Sequence, residues 1–229
     1  MTRTLPLALL ALLLCSGARG EALDAVLART VAVYGGEKAL DRVRVVRQTG
    51  TLESLRGVAQ TVRVFAPPAR LRVEIRYPDG GGEVRVLEGA RAWRNGEAVH
   101  GPPGDGMRLQ AARLDLPRLL VRNRARLIDL GEIRPDGKAL RGIGLAVGDH
   151  LQLVAGVDPK TGLILHSEGQ LPSPGGPVRF ATVYRDFRRV HGVLFAFEEA
   201  NFASGQQTGV TRLKKIELLA APPAGAFAP

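Results

Sequence analysis

Residues 70–77 read Arg-Leu-Arg-Val-Glu-Ile-Arg-Tyr and alternate strictly between charged and apolar side chains. A period of two residues is that of a β-strand, whose successive side chains point to opposite faces of the sheet. The segment therefore predicts a strand with Arg70, Arg72, Glu74 and Arg76 on its solvated face. Such a strand is stable only within a larger sheet whose apolar face is covered.

Two groups of extended runs, separated by turn sequences, indicate how large that sheet is. The first group lies near residues 43–52, 60–65, 69–77, 83–87 and 90–94. The second lies near residues 139–147, 151–157, 163–168, 178–187, 193–202 and 208–218. Pro67-Pro68, Asn95-Gly96 and the Asp-Pro-Lys-Thr-Gly sequence at 158–162 favour tight turns. Because tight turns join neighbouring strands, we predict about ten or eleven antiparallel strands.

Helical periodicity appears before the first group of strands and again between the two groups. Apolar residues recur at helical spacing from Leu23 to Tyr34, and a short second helical turn follows in residues 37–43. Residues 106–127 also suit a helix, which we predict Pro117 to kink or divide in two. This order of elements indicates an α+β fold. Because so large a sheet tends to curl, we expect the helical segments to fill its concave face.

The two ends of the chain carry different signals. Arg3, an apolar run over residues 5–14 and small residues at Ala18 and Gly20 form the layout of a secretory signal peptide. The run is about half the roughly 20 residues that span a bilayer. We therefore predict cleavage after Gly20, a periplasmic location and one domain over residues 21–229. The last ten residues are rich in Ala and Pro and predict a poorly ordered surface tail.

The only cysteine, Cys15, lies inside the signal segment. The alternative to cleavage after Gly20 is a lipid anchor on Cys15. A lipidated cysteine normally follows a small residue, whereas Leu13 and Leu14 precede Cys15. We therefore do not expect lipid anchoring at Cys15, and we expect a cysteine-free domain without disulfides.

Charge and motifs argue against several classes of function. The formal net charge is +10, but arginines that alternate with apolar residues are typical of solvated strand faces. No helix-turn-helix or aromatic platform accompanies them, so we predict no nucleic-acid partner and only weak contact with an anionic membrane surface. The four histidines lack metal-ligand spacing; they are His100, His150, His166 and His191.

Catalytic motifs are also missing from the sequence. There is no GxSxG or SxxK motif, and no serine has a neighbouring base. Glu198 and Glu199 are adjacent on a predicted strand, so their carboxylates point to opposite faces and do not act as a pair. The sequence therefore predicts a protein that is not an enzyme, with no catalytic residues, no metal and no cofactor.

Four stretches together resemble a known superfamily. They are YGGEKALDRVRVVRQTGTL at 34–52, LDLPRLLVRNRARL at 114–127, VDPKTGLILHSEG at 157–169 and YRDFRRVHGVLFAFEEANFASGQQTGVTRLKKIEL at 184–218. With them the chain resembles a divergent member of the LolA/LolB-like superfamily of periplasmic lipoprotein-sorting proteins. The resemblance implies an unclosed, strongly bent antiparallel half-barrel with helices plugging its concave side. It also implies an apolar hollow that binds lipoprotein acyl chains or senses envelope lipids and proteins.

No ligand residue of that superfamily is matched by a local motif, so candidates for the hollow come from strand parity. We expect the apolar strand residues to face the hollow beneath helical leucines, with Trp93 at the rim. The candidates are Val62, Val64, Leu71, Val73, Ile75, Val84, Val86, Trp93, Leu116, Leu119 and Leu120. The alternative for each is a place in a closed core.

Two main functions stay open at this point. In the first, a non-enzymatic periplasmic protein holds the acyl chain of a lipid or lipoprotein, with the segment around Pro117 as a movable lid and an envelope transporter as a further partner. In the second, the same fold has a closed core and serves as a scaffold or sensor for a protein partner. An enzyme whose residues converge only in the folded chain is a third possibility.

Overall fold

The computed structural model describes residues 22–173 and 175–229. The predicted signal peptide, its cleavage after Gly20 and the alternative at Cys15 lie outside the described residues. Within the described residues there are four α-helices: α1 Leu23–Val33, α2 Glu37–Arg42, α3 Pro102–Leu114 and α4 Leu116–Arg122. Two 3-10 turns, Arg124–Arg126 and Pro135–Gly137, complete the helical elements found there.

The middle helical segment is divided in two, as its sequence predicts. Only Asp115 separates α3 from α4, and Pro117 lies in the first turn of α4. Proline is tolerated there because the first-turn N–H groups have no partner within the helix. α3 begins four residues earlier than predicted, since a proline pair occupies its own first turn for the same reason.

Thirteen strands of the described chain form a single sheet. They are β1 Val45–Ser54, β2 Gly57–Ala66, β3 Arg70–Arg76, β4 Gly82–Glu88, β5 Arg91–Arg94, β6 Glu97–Val99, β7 Ile128–Ile133, β8 Leu140–Val147, β9 Leu151–Val157, β10 Ile164–Leu171, β11 Val178–Val190, β12 Val193–Ala203 and β13 Gln206–Leu219. The strand order is β6-β5-β4-β3-β2-β1-β13-β12-β11-β10-β9-β8-β7, and each pairing is antiparallel. The sheet is strongly curved and not closed, and the predicted α+β half-barrel is confirmed.

The order of the strands explains why the helices cover the concave face. β6 and β7 are the two edges of the sheet, and the chain between them consists mainly of α3 and α4. To pass from one edge to the other, this segment crosses the inside of the curve. α3 accordingly contacts β3, β4 and β5 on one side and β8, β9 and β10 on the other.

Apolar side chains pack on both faces of the sheet. On the concave face, one cluster gathers around α1, α2 and α4, and a second, which includes Phe65 and Met107, lies beneath α3. On the convex face, Val45, Val64 and Val86 pack against Phe227 near the end of the chain. The closing segment is therefore packed against the sheet, and the expectation of a poorly ordered tail is wrong.

One hydrogen bond and one cation–π contact, besides apolar packing, hold the closing segment on the convex face. Arg72 Nη1 donates to the carbonyl oxygen of Ala228 over 3.0 Å. The Arg70 guanidinium lies 5.2 Å from the centroid of the Phe227 ring, within the range of a cation–π contact. The face of β3 that its sequence predicts to be solvated therefore contacts the C-terminal segment.

Candidate ligand-binding cavity

A cavity of about 590 Å³ lies on the concave face, between the sheet and the α3–α4 segment. This volume is typical of a site for one small ligand, for which about 300–1,000 Å³ is usual. Much of its wall is apolar and includes Leu40, Val43, Val46, Leu52, Phe65, Val73, Ile75, Met107, Leu109, Leu114, Leu116, Ile164, Leu171, Phe180, Phe187 and Leu194. The half-barrel therefore encloses a space in which an apolar ligand can be shielded from water.

The predicted lining residues fall into three groups, and the first two lie on the concave side. Val73, Ile75 and Leu116 line the cavity. Leu71 and Leu120 are only 1% exposed and belong to the packed core, and Leu119 packs against that core. Binding of a ligand by any of them stays a prediction.

The third group faces the other way, so the predicted orientation of these residues is wrong. Val62, Val64, Val84, Val86 and Trp93 lie on the convex face, where most of them pack in the cluster that includes Phe227. Both faces of these strands are covered, one by α3 and the other by the closing segment. Apolar residues therefore occur on both faces of these strands. The alternation of side chains along a strand shows which residues share a face but does not identify the concave face.

β2 presents two polar residues to the cavity, Thr61 and Arg63, beside the apolar Phe65. Arg63 is paired in register with Val73, which places its side chain on the concave side. Its guanidinium binds the carboxylate of Glu199 on β12, with Nη1–Oε2 at 2.6 Å and Nη2–Oε1 at 3.0 Å. The side chains are 6% and 10% exposed. Sequence reasoning missed this pair, because Arg63 alternates with valines just as the arginines of β3 do.

Glu198 and Glu199 point to opposite faces of β12, as predicted. Glu199 lines the cavity, whereas Glu198 binds Arg185 at 3.2 Å and Arg212 at 3.4 Å on the solvated face. Because the carboxylates are separated by the sheet, they do not form a pair.

A second polar group links α3 to the far wall of the cavity. Arg113 Nη1 donates to Thr182 Oγ1 over 2.8 Å, and that hydroxyl donates to Asn201 Oδ1 over 3.0 Å. Two positions further along β11, the Tyr184 hydroxyl lies 2.7 Å from Ser167 Oγ. Burial raises the pKa of Tyr184 to about 12, so its hydroxyl stays protonated at neutral pH.

The junction of α3 and α4 carries a buried ion pair. Asp115 Oδ1 lies 2.8 Å from Arg118 Nε, and Arg118 Nη1 donates to the carbonyl oxygen of Val43 over 3.1 Å. The Asp115 side chain is 2% exposed. Desolvation raises the pKa of Asp115 to about 6, although the nearby Arg118 and Arg122 charges oppose the shift. Arg118 thus fixes the junction to the chain just before β1, and its partner Asp115 is harder to ionise than an exposed aspartate.

At the β4–β5 side of the cavity, one carboxylate serves two arginines. Glu83 lies 2.6 Å from Arg85 and 2.5 Å from Arg94. Partial burial acts to raise the pKa of Glu83, but its two arginine partners outweigh that effect and lower it. Among the described residues, no group of three or more His, Cys, Asp or Glu side chains is arranged to hold a metal ion.

Together, the open antiparallel half-barrel, the helical cover and the cavity between them define a class of fold in which a curled sheet and its helices leave a space on the concave side. A scan against protein-family models finds no match, and a search of curated proteins finds none either. Solved structures do match. In the part of the chain that the structure describes, no helix has the length and apolarity to cross a membrane.

Two solved structures share this fold. A LolA superfamily protein, NE2245 from Nitrosomonas europaea, superposes with a TM-score of 0.55 at 12% identity, covering 90% of this chain and 97% of that one. A domain from Vibrio parahaemolyticus, whose proposed role is outer membrane lipoprotein sorting, superposes with a TM-score of 0.51 at 10% identity, covering 88% of this chain and 97% of that one. The chain therefore has a LolA-like fold, as its sequence resemblance implies.

Proposed function

We propose that this chain is a periplasmic binding protein that shelters the acyl chain of a lipid or lipoprotein and carries out no chemistry of its own. The observation that carries the proposal is the cavity of about 590 Å³ with its largely apolar wall. Export is supported by the signal-like segment at residues 1–20. The two structural neighbours, one of which has lipoprotein sorting as its proposed role, support an acyl chain as the ligand.

The physical basis of binding is the removal of apolar surface from water. Each buried CH₂ group contributes about 0.8 kcal/mol, so a single alkyl chain binds without a reactive group in the cavity. The cavity is not filled by side chains. This argues against the hypothesis of a scaffold or sensor for a protein partner, which requires a closed core. Because α3 and α4 form the cover over the cavity, we propose that this segment is the lid through which the ligand enters.

A cavity-filling substitution tests the proposal. Gly106 lines the cavity on α3, and a Cβ built there has ordinary contact, at 3.5 Å, with Leu171 alone. Gly106→Phe should therefore place its ring in the ligand space. Ala25→Phe, on the exposed side of α1, is the matched control.

Displacement of a fluorescent fatty-acid probe, with native mass spectrometry of protein purified without detergent, provides the measurement. We expect the wild type and Ala25→Phe to take up the probe equally and Gly106→Phe to bind at least about tenfold more weakly. Absence of lipid and of probe uptake in the wild type contradicts the proposal. So does undiminished binding by a folded Gly106→Phe variant.

A further inference from the structure

The charges around the cavity do not balance. Among the described residues that line it are five arginines and three carboxylates: Arg63, Arg85, Arg94, Arg113 and Arg118, with Glu83, Asp115 and Glu199. Each carboxylate is already engaged. Glu199 binds Arg63, Asp115 binds Arg118, and Glu83 is shared between Arg85 and Arg94. The lining therefore carries two positive charges in excess.

The two excess charges differ in their surroundings. One belongs to the Arg85–Arg94 pair, where the Arg94 side chain is 55% exposed and well hydrated. The other belongs to Arg113, which is half-buried in the last turn of α3 and has no carboxylate within ion-pair distance in the described chain. Because a desolvated charge is stabilised by an opposite charge, Arg113 is the position at which an anion would be bound most favourably.

The contacts of Arg113 orient its guanidinium toward the ligand space. Thr182, which is 1% exposed, accepts one N–H of Arg113 and is itself held by Asn201. A guanidinium has five N–H donors, so this contact leaves others for a ligand. Phe180 and Tyr184 flank Thr182 on the same face of β11 and line the cavity too. A charged donor thus lies beside aromatic and aliphatic walls.

A second donor lies in the same region. Arg63 Nε is buried and has no hydrogen-bond partner among the described residues. Glu199, which binds Arg63, is paired in register with Tyr184, and Tyr184 is two positions from Thr182, which binds Arg113. The two arginines therefore lie around one part of the cavity. A ligand oxygen bound to Arg113 would therefore be in polar surroundings, while its hydrocarbon chain extends along the apolar wall.

We infer that the cavity binds an anionic single-chain amphiphile of the fatty-acid class, with its carboxylate on Arg113 and its alkyl chain along the apolar wall. This inference rests on the proposed function and names the ligand class of the same cavity. The cavity volume, typical of one small ligand, agrees with a single chain. The free energy of a hydrogen bond to a charged group corresponds to about a tenfold tighter binding of the carboxylate than of a neutral head group.

The test compares dodecanoate with dodecan-1-ol, which has the same chain length and no charge, by isothermal titration at pH 8. The proteins are the wild type, Arg113→Gln, Arg113→Lys and Thr182→Val. Arg122→Gln serves as the control, because Arg122 is an exposed arginine on the neighbouring α4. Thermal unfolding of each variant shows that it is folded. Sodium acetate as a competitor shows whether the anion binds without its chain.

We expect the wild type and Arg122→Gln to bind dodecanoate about tenfold more tightly than dodecanol. Arg113→Gln should remove that preference, mainly by weakening the binding of dodecanoate, while Arg113→Lys and Thr182→Val should keep part of it. A preference that persists in Arg113→Gln, or acetate that competes as well as dodecanoate, overturns the inference. Equal binding of both ligands by the wild type overturns it but leaves the proposed function intact, whereas binding of neither overturns both.

Discussion

Arg63 on β2 and Glu199 on β12 form a two-pronged ion pair across the inside of the half-barrel. β1 and β13 lie between their strands, so the pair spans three strand spacings, which is about 14 Å in a flat sheet. The two residues are 136 positions apart in the chain. The contact therefore joins the N-terminal and C-terminal halves of the sheet on the face where the ligand space lies.

Loss of one partner from this pair should destabilise the fold strongly. Glu199→Gln leaves a buried guanidinium without its counter-charge, and we expect the free energy of unfolding in urea to fall by about 3 kcal/mol. The double variant Arg63→Met/Glu199→Leu removes both charges and should recover most of that loss. Glu198→Gln, next to it on the solvated face, should cost at most about 1 kcal/mol. Equal losses at positions 198 and 199 would contradict the burial of the pair.

Titration of Asp115 should make the free energy of unfolding depend on pH. Its pKa of about 6 lies above the ordinary value of about 4, so the folded state binds the proton more tightly than the unfolded state. Protonation of Asp115 therefore adds to the free energy of unfolding. This contribution is complete below about pH 4 and is lost as the pH rises through about 6. Relative to Asp115→Asn, the wild type should lose stability between pH 4 and 7 in urea titrations.

Asp186→Asn is the control for that experiment. Its hydrogen bond with Arg188 lowers the pKa of Asp186, so its contribution is present at neutral pH and is lost only as the pH falls below about 4. The two difference curves should therefore slope in opposite directions and in different pH ranges. Parallel curves for the wild type and Asp115→Asn between pH 4 and 7 would rule out the raised pKa.

The closing segment should contribute measurably to stability. Phe227 is 8% exposed and packs against the convex face, so Phe227→Ala should lower the free energy of unfolding by about 3 kcal/mol. Leu55→Ala, at a side chain that is 98% exposed, should change it by no more than about 0.5 kcal/mol. Chemical denaturation of both variants gives the comparison. If Phe227→Ala were as mild as Leu55→Ala, the segment would not be docked in solution.

A disulfide between α3 and β5 should slow entry of the ligand. A Cβ built on Gly104 lies 3.7 Å from Ala92 Cβ, close to the mean of about 3.8 Å in disulfides. Ala92→Cys/Gly104→Cys would pin the first turn of α3 to the sheet. The rate of fatty-acid probe uptake, followed by stopped-flow fluorescence, should be lower in the oxidised form and return on reduction.

The two single-cysteine variants control for the substitutions themselves, since Cys15 is the only native cysteine and lies in the predicted signal peptide. Their uptake rates should not respond to reductant. If the oxidised and reduced double variants take up the probe at the same rate, ligand entry does not need α3 to move, and the lid proposal must then rest on α4 alone.

Local sequence determined the elements of this protein. Alternation at residues 70–77, the tight turns and Pro117 predict eleven of the thirteen strands of the described chain and the division between α3 and α4. The two missed strands have weak local signals. β6 has only three residues, and β7 contains Gly131 in a positive-φ conformation that interrupts its alternation. Export, cleavage after Gly20 and the absence of an anchor at Cys15 stay predictions from sequence.

Which side of each strand faces the ligand was decided only by the tertiary structure. A period of two shows that Val62 and Val64 share one face and that Arg63 takes the other, but it does not say which face is concave. That choice depends on distant parts of the chain. Phe227 covers the valine side, and Glu199 provides Arg63 with a counter-charge on the inner side. Because burying a lone guanidinium is unfavourable, an inward-facing arginine requires a carboxylate partner that only the folded sheet brings near.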